Sequence, residues 1–135
     1  MAAKAAACFP VTIADVYGRL LAYNLFNTTN GGLSLTMSGL SSLSNFTGYN
    51  VPYPIITSVA VSAGEGSCEA APSATQYEYT PYEFGSWDTG VSAFVQMAYL
   101  GSLVNNGTNS TGLCVRDFDN LGFVTSSTSL SLIHI

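Results

Sequence analysis

The chain has 135 residues, of which 47% are hydrophobic and only 8% charged, with a formal net charge of −5. That length and apolar content suit one folded domain and argue against a disordered chain. Its cations, Lys4, Arg19 and Arg116, are too few and too dispersed to neutralise a phosphate backbone, which excludes nucleic acid as a partner.

With charges this sparse, solvation of the surface falls to Ser, Thr, Asn, Gly and attached sugar. Asn-X-Ser/Thr sequons place N-glycosylation at Asn27, Asn45, Asn106 and Asn109 on a secretory route, where about two such sites would arise by chance. No apolar run approaches the roughly 18 to 20 residues that span a bilayer, and Met1–Ala7 is too short for a secretory apolar region. Neither a transmembrane segment nor a signal peptide is therefore expected in this chain. Cys8, Cys68 and Cys114 have no metal-ligand spacing, so no metal and no other cofactor is expected. Their pairing stays open between a partner outside the chain for an odd thiol and three reduced, buried cysteines.

In chain order, Thr12 and Asp15 have the form of a capping box, which predicts a helix over residues 13–26. Ile13, Val16, Tyr17, Leu20 and Leu21 would form its apolar stripe, with Asp15 and Arg19 four apart on the other side. Asn30-Gly31-Gly32 stops it. Residues 33–50 are rich in Ser and Gly and read as a short helix or a loop. The prolines of Val51-Pro52-Tyr53-Pro54 impose an extended entry into Ile55–Val61, whose β-branched run suits a central strand covered on both faces. Residues 62–74 read as a loop. Thr75–Thr80 alternates tyrosines with polar residues and reads as a second strand that Pro81 ends. Glu83–Asp88 reads as an aromatic and acidic turn before an apolar stretch over 91–100, and 105–112 reads as a polar loop. No repeat and no linker divides the chain.

Self-contained hydrolase chemistry is not legible. Gly39-Leu40-Ser41-Ser42-Leu43 has leucine where a nucleophile elbow needs its second glycine, which makes Ser41 a loop serine. His134, the sole histidine, sits one residue from the end and cannot hold a triad geometry there. Asp117 and Asp119 could form an acid and base pair but are better explained by turn hydrogen bonds. Tyr77, Tyr79, Tyr82, Phe84 and Trp87 could line a carbohydrate platform, although aromatics alternating along a strand usually pack in a core. Phosphate-loop and dinucleotide fingerprints are absent.

Three stretches together resemble the fungal lysophospholipases, also called phospholipase B, in the family's order. They are Asp15–Tyr23, then Tyr77–Asp88 running into Tyr99–Ser102, then Cys114–Val124. The likeness covers about residues 12–126, so that 1–135 is expected to be a single partial domain with 127–135 foreign to the family, as a truncated transcript would leave. It implies an α/β fold, a partial three-layer catalytic domain of the patatin-like and cytosolic phospholipase-like kind. It also implies a Ser–Asp dyad, the serine in a Gly-Leu-Ser-Gly-Gly-Ser segment upstream and the aspartate in an Asp-Gly-Gly segment downstream. Neither segment is present, so no catalytic residue is expected here and the chain alone is expected to be inactive. Asp15, Arg19, Glu83, Phe84, Gly85, Trp87, Asp88, Asp119, Asn120, Gly122 and Phe123 occupy family-motif positions, to which structural or pocket-shaping roles are assigned. The implied protein is a secreted or cell-surface glycoprotein that hydrolyses fatty-acyl esters of phospholipid or lysophospholipid. The rival expectation is a small secreted glycoprotein with a structural or carbohydrate-binding role.

Overall fold

The computed structural model describes residue 5 and residues 11–26, 28–32, 34–60, 71–105, 108–109, 112 and 114–129. Cys8, Cys68, Asn27, Asn106, His134 and the tail from residue 130 lie outside the described residues.

Helix α1 (Ile13–Leu25) starts as its capping signal predicts. The Thr12 N–H donates to Asp15 Oδ2 at 2.7 Å, and the Thr12 hydroxyl donates to the same oxygen at 3.2 Å. The apolar stripe predicted to anchor α1 is largely exposed, however: Ile13 is 71% and Leu20 59% accessible, while Gly18 and Ala22 are buried. Packing of α1 against the last helix, α3 (Leu121–Ser129), causes this reversal. A Cβ on Gly18 would collide with the Gly122 carbonyl and the Ser126 side chain, so the two backbones meet through small residues. Such close approach turns the aliphatic stripe outward. The helix α3 has no counterpart among the predicted elements. Its Ser and Thr hydroxyls donate to carbonyls three or four residues back, as Thr125 does to Leu121 at 2.7 Å and Ser126 to Phe123 at 2.7 Å.

Between these helices in sequence, residues 33–50 resolve into a 3₁₀ turn at Ser38–Ser42 and the one-turn helix α2 (Ser44–Thr47). Four strands follow, β1 (Ile56–Val59), β2 (Gln76–Tyr79), β3 (Glu83–Ser86) and β4 (Ala93–Gln96), paired antiparallel in sequence order. Mixed helices and an antiparallel sheet are compatible with the expected α/β class. Two expectations need correction. The Ile55–Val61 run supplies an edge strand, not a central one, because β1 pairs only with β2 among the described residues. Glu83–Asp88 is mainly strand and not turn, since Phe84 and Gly85 pair with both neighbours. A small hairpin, β5 (Val104–Asn105) with β6 (Thr108–Asn109), occupies the predicted polar loop.

Register places Ile56, Tyr79, Phe84 and Val95 in line across the sheet, on the face that meets the core. That core consists of Met37, Tyr79, Met97, Leu100, Leu121 and Val124, with Ile56, Phe84, Phe118 and Phe123 packed on it. On the other face Gly85 lies beneath the Phe94 ring and the Ala93 carbonyl, where no Cβ fits.

Candidate functional site

A cleft of about 650 Å³ opens between the Ser38–Ser42 turn and the β3–β4 side of the sheet. Ser38, Gly39, Ser41 and Ser42 form one wall; Tyr82, Glu83, Phe94, Val95 and Gln96 lie opposite. The sheet wall is held by a local turn, the serine wall by a distant segment.

The sheet wall depends on a tight turn at Thr80. Its N–H donates to the Glu83 carbonyl at 2.9 Å, while its hydroxyl oxygen accepts the N–H groups of Glu83 at 3.0 Å and Tyr82 at 3.3 Å. Pro81 and Tyr82 therefore take the central positions of the hairpin, Pro81 pre-setting the backbone there. At the far end of β3, Asp88 Oδ2 accepts the Gln76 N–H at 2.7 Å, and the Asp88 carbonyl accepts the N–H groups of Val91 and Ser92 to close the next turn. Trp87, 75% exposed, donates from Nε1 to Glu78 Oε1 at 3.0 Å and packs against Phe94 with ring centroids 4.7 Å apart.

The serine wall is tied to a segment some eighty residues away. Asp119 is fully buried; its Oδ2 accepts the Ser38 N–H at 2.7 Å and its carbonyl accepts the Met37 N–H at 2.8 Å. Thr36 and Asn120 form a single antiparallel bridge, Leu121 N–H donates to the Leu35 carbonyl at 3.1 Å, and Asn120 Oδ1 accepts the Gly122 N–H at 2.9 Å as α3 begins. Asp119 Oδ1 is buried and has no hydrogen-bond partner among the described residues. Asp119 and Asn120 thus join the start of α3 to the turn that lines the cleft.

The residues singled out by sequence do not converge into one reactive centre. Asp15 caps α1, Arg19 is half-buried on the same helix, Gly122 meets Gly18, and Phe123 packs edge-on against Phe118 at 4.8 Å. Asp117 is exposed, buried Asp119 holds the Ser38 N–H on its Oδ2, and neither lines the cleft, so both serve as turn residues and not as an acid and base pair. Ser41 donates its hydroxyl to the Ser38 carbonyl at 2.7 Å, as a turn serine does. The supposed aromatic platform is divided. Phe84 packs on Tyr77 and Tyr79, Trp87 lies on the opposite sheet face, and Tyr82 belongs to a separate group. Among the described residues no three His, Cys, Asp or Glu side chains could hold a metal. Cys114 is exposed, and Asn45 is exposed on α2.

One feature escaped the sequence reading. Phe46, Tyr53 and Tyr82 form a three-ring group, with centroid separations of 6.0, 6.2 and 6.3 Å, beside the cleft. Its signal was the recurrence of Phe46, Tyr49 and Tyr53 in a stretch, Leu20–Gly64, that has no charged side chain.

Residues 1–133 match the lysophospholipase catalytic domain. The chain belongs to that family. It is 40% identical over 131 residues to lysophospholipase 3 of Candida albicans, covering 94% of this chain and 17% of that protein. Lysophospholipase 2 of Aspergillus fumigatus is 39% identical over 127 residues, covering 93% of this chain and 21% of its own. Probable lysophospholipase 5 of Schizosaccharomyces pombe is 40% identical over 126 residues, covering 93% and 20%. The chain thus spans about a fifth of the length of these curated lysophospholipases. No solved structure matches it. Among the described residues no helix of this lysophospholipase segment is long and apolar enough to cross a membrane.

Proposed function

We propose that this chain is an internal part of the catalytic domain of a phospholipase B that hydrolyses fatty-acyl esters of lysophospholipids and phospholipids. The observation that carries the reading is identity near 40% to lysophospholipases over more than nine-tenths of the chain. The reacting groups are a serine and an aspartate on segments outside these 135 residues. In that chemistry the serine oxygen attacks the ester carbonyl while the aspartate takes its proton, the acyl C–O bond breaks and the glycerol-side alcohol leaves with that proton, and water then hydrolyses the acyl-enzyme to release the fatty acid. Oriented donors stabilise the oxyanion, a term often dominant in such reactions.

The present residues supply scaffold and pocket wall. Asp119 and Asn120 hold the Ser38–Ser42 turn; Glu83 and the Thr80 hairpin set the opposite wall; Asp88 and Trp87 brace the sheet. Asp15 and Gly122 serve α1 and α3, and Arg19, Phe84, Gly85 and Phe123 complete the packing. The whole protein is secreted or at the cell surface, with sugar on its sequons; shifts in mass of the secreted protein after glycosidase treatment test this.

Function is tested by measuring fatty-acid release from lysophosphatidylcholine by the product of the full transcript and by the 135-residue chain side by side. Release by the whole protein alone is expected. Release by the short chain would overturn the placement of the dyad, and no release by the whole protein would overturn the enzymatic reading.

A further inference from the structure

The turn that follows α1 carries a reactive pair of residues for which the ester chemistry has no use. Asn30 and Gly31 lie within the 3₁₀ segment Thr29–Gly32 and are both left-handed, Asn30 at φ 59° and ψ 28°, Gly31 at φ 61° and ψ 38°. Each has a local reason to be there. Asparagine is one of the few residues with a side chain that tolerate the left-handed region, and a Cβ on Gly31 would collide with the ring and backbone of Tyr23. The turn thus calls for asparagine followed by glycine. That order also exposes the chain to a reaction between backbone and side chain, because no Cβ shields the nitrogen that follows the asparagine.

In that reaction the Gly31 backbone nitrogen gives its proton to solvent base and attacks Cγ of Asn30. A C–N bond forms, the bond from Cγ to the side-chain nitrogen breaks, and the released nitrogen takes a proton from water and leaves as ammonia. Water then opens the cyclic imide at either carbonyl, which leaves an aspartyl or an isoaspartyl residue at position 30 with no change of oxidation state. The folded turn opposes the first step twice. Gly31 N–H donates to the Thr28 carbonyl at 3.1 Å, which holds the proton that must leave. At ψ 28° the same nitrogen lies on the side of Asn30 opposite its Cβ, whereas the imide ring needs both on one side. Rotation about ψ would bring them together, and it would carry Gly31 off Tyr23 and break the bond to Thr28. Reaction therefore requires the turn to open, a local event that leaves the rest of a fold intact.

We propose that Asn30 is a latent deamidation site, held shut by the folded turn after α1 and converted by water to aspartate and isoaspartate when that turn opens. Its protection comes from a bond and dihedral angles inside the turn, whatever part of a larger domain lies against it. The product is permanent. It adds a negative charge, and the isoaspartyl form also adds a methylene to the main chain, so that Gly31 no longer reaches its place against Tyr23. The inference is independent of the hydrolase reading.

The test is incubation of the 135-residue chain in mildly alkaline buffer with and without guanidinium chloride, followed by peptide mass mapping and enzymatic methylation of isoaspartyl residues. Asn106-Gly107 is the same dipeptide and serves as a reference in the denatured sample, where both sites are expected to convert at similar rates. Without denaturant, Asn30 is expected to convert roughly tenfold more slowly than with it, a slowing set by the population of the open turn. Tyr23→Ala removes the ring over Gly31 from an exposed position of α1. This variant is expected to raise the Asn30 rate without denaturant roughly threefold at unchanged helix content by circular dichroism. Equal Asn30 rates with and without denaturant, no conversion in denaturant, or no acceleration by Tyr23→Ala would overturn the proposal.

Discussion

The sheet and the helix pair are built on opposite principles. The β2–β3 and β3–β4 hairpins are closed by residues next to them in sequence: Thr80 bonds Glu83, and Asp88 bonds Val91 and Ser92. The α1–α3 pair joins residues more than a hundred positions apart, and the contact is made by the absence of a side chain at Gly18, where a Cβ would run into the Gly122 carbonyl and Ser126. Local closure costs little chain entropy and can form early, whereas the helix pair requires a long loop to close before any contact is gained. Sensitivity to substitution should follow the same division.

The largest expected effect is at the helix pair. Gly18→Leu forces bulk into the Gly122 and Ser126 surfaces, and a loss of about 3 kcal/mol is expected in urea unfolding followed by circular dichroism. A variant with unchanged stability would show that α1 and α3 do not pack as described. Next comes the link between the two regions. Asp119→Ala leaves the half-buried Ser38 N–H without its acceptor and should cost about 2 kcal/mol, while Asp119→Asn, which keeps one acceptor oxygen and removes a buried carboxylate, should cost less than half of that. Equal losses in the two variants would mean that the charge itself matters. Removing the α1 cap by Asp15→Ala should cost about 1 kcal/mol, visible as a small drop in melting temperature. Smallest of all, Leu20→Gln on the outer face of α1 should change stability by about 0.5 kcal/mol or less and yet raise the soluble yield of the chain. A large loss of stability there would indicate that this face is already covered.

How much of this was readable from residues alone varies with the range of the interaction. The α1 boundaries and the β2 strand followed from a capping box and a two-residue alternation, both properties of neighbouring residues. The helix α3 escaped notice because its Ser and Thr residues favour turns by local preference, and only burial against α1 and the sheet makes the helical form the better one. The edge position of β1 escaped for a related reason: a β-branched run announces a strand but not its neighbours. The aromatic group had a visible local element in Phe46, Tyr49 and Tyr53, but Tyr82 arrives from a hairpin nearly thirty residues later.

By itself, the sequence determined where helix α1 and strand β2 begin and that its motif blocks resemble those of the lysophospholipases. Tertiary structure alone decided which face of α1 is buried, which oxygen of Asp119 holds the Ser38 turn, and which aromatic rings stand together in solvent. Periodicity fixes an element and its amphipathic axis, but the direction in which that axis turns depends on how closely a distant backbone can approach, and here Gly18 allows the small face to win.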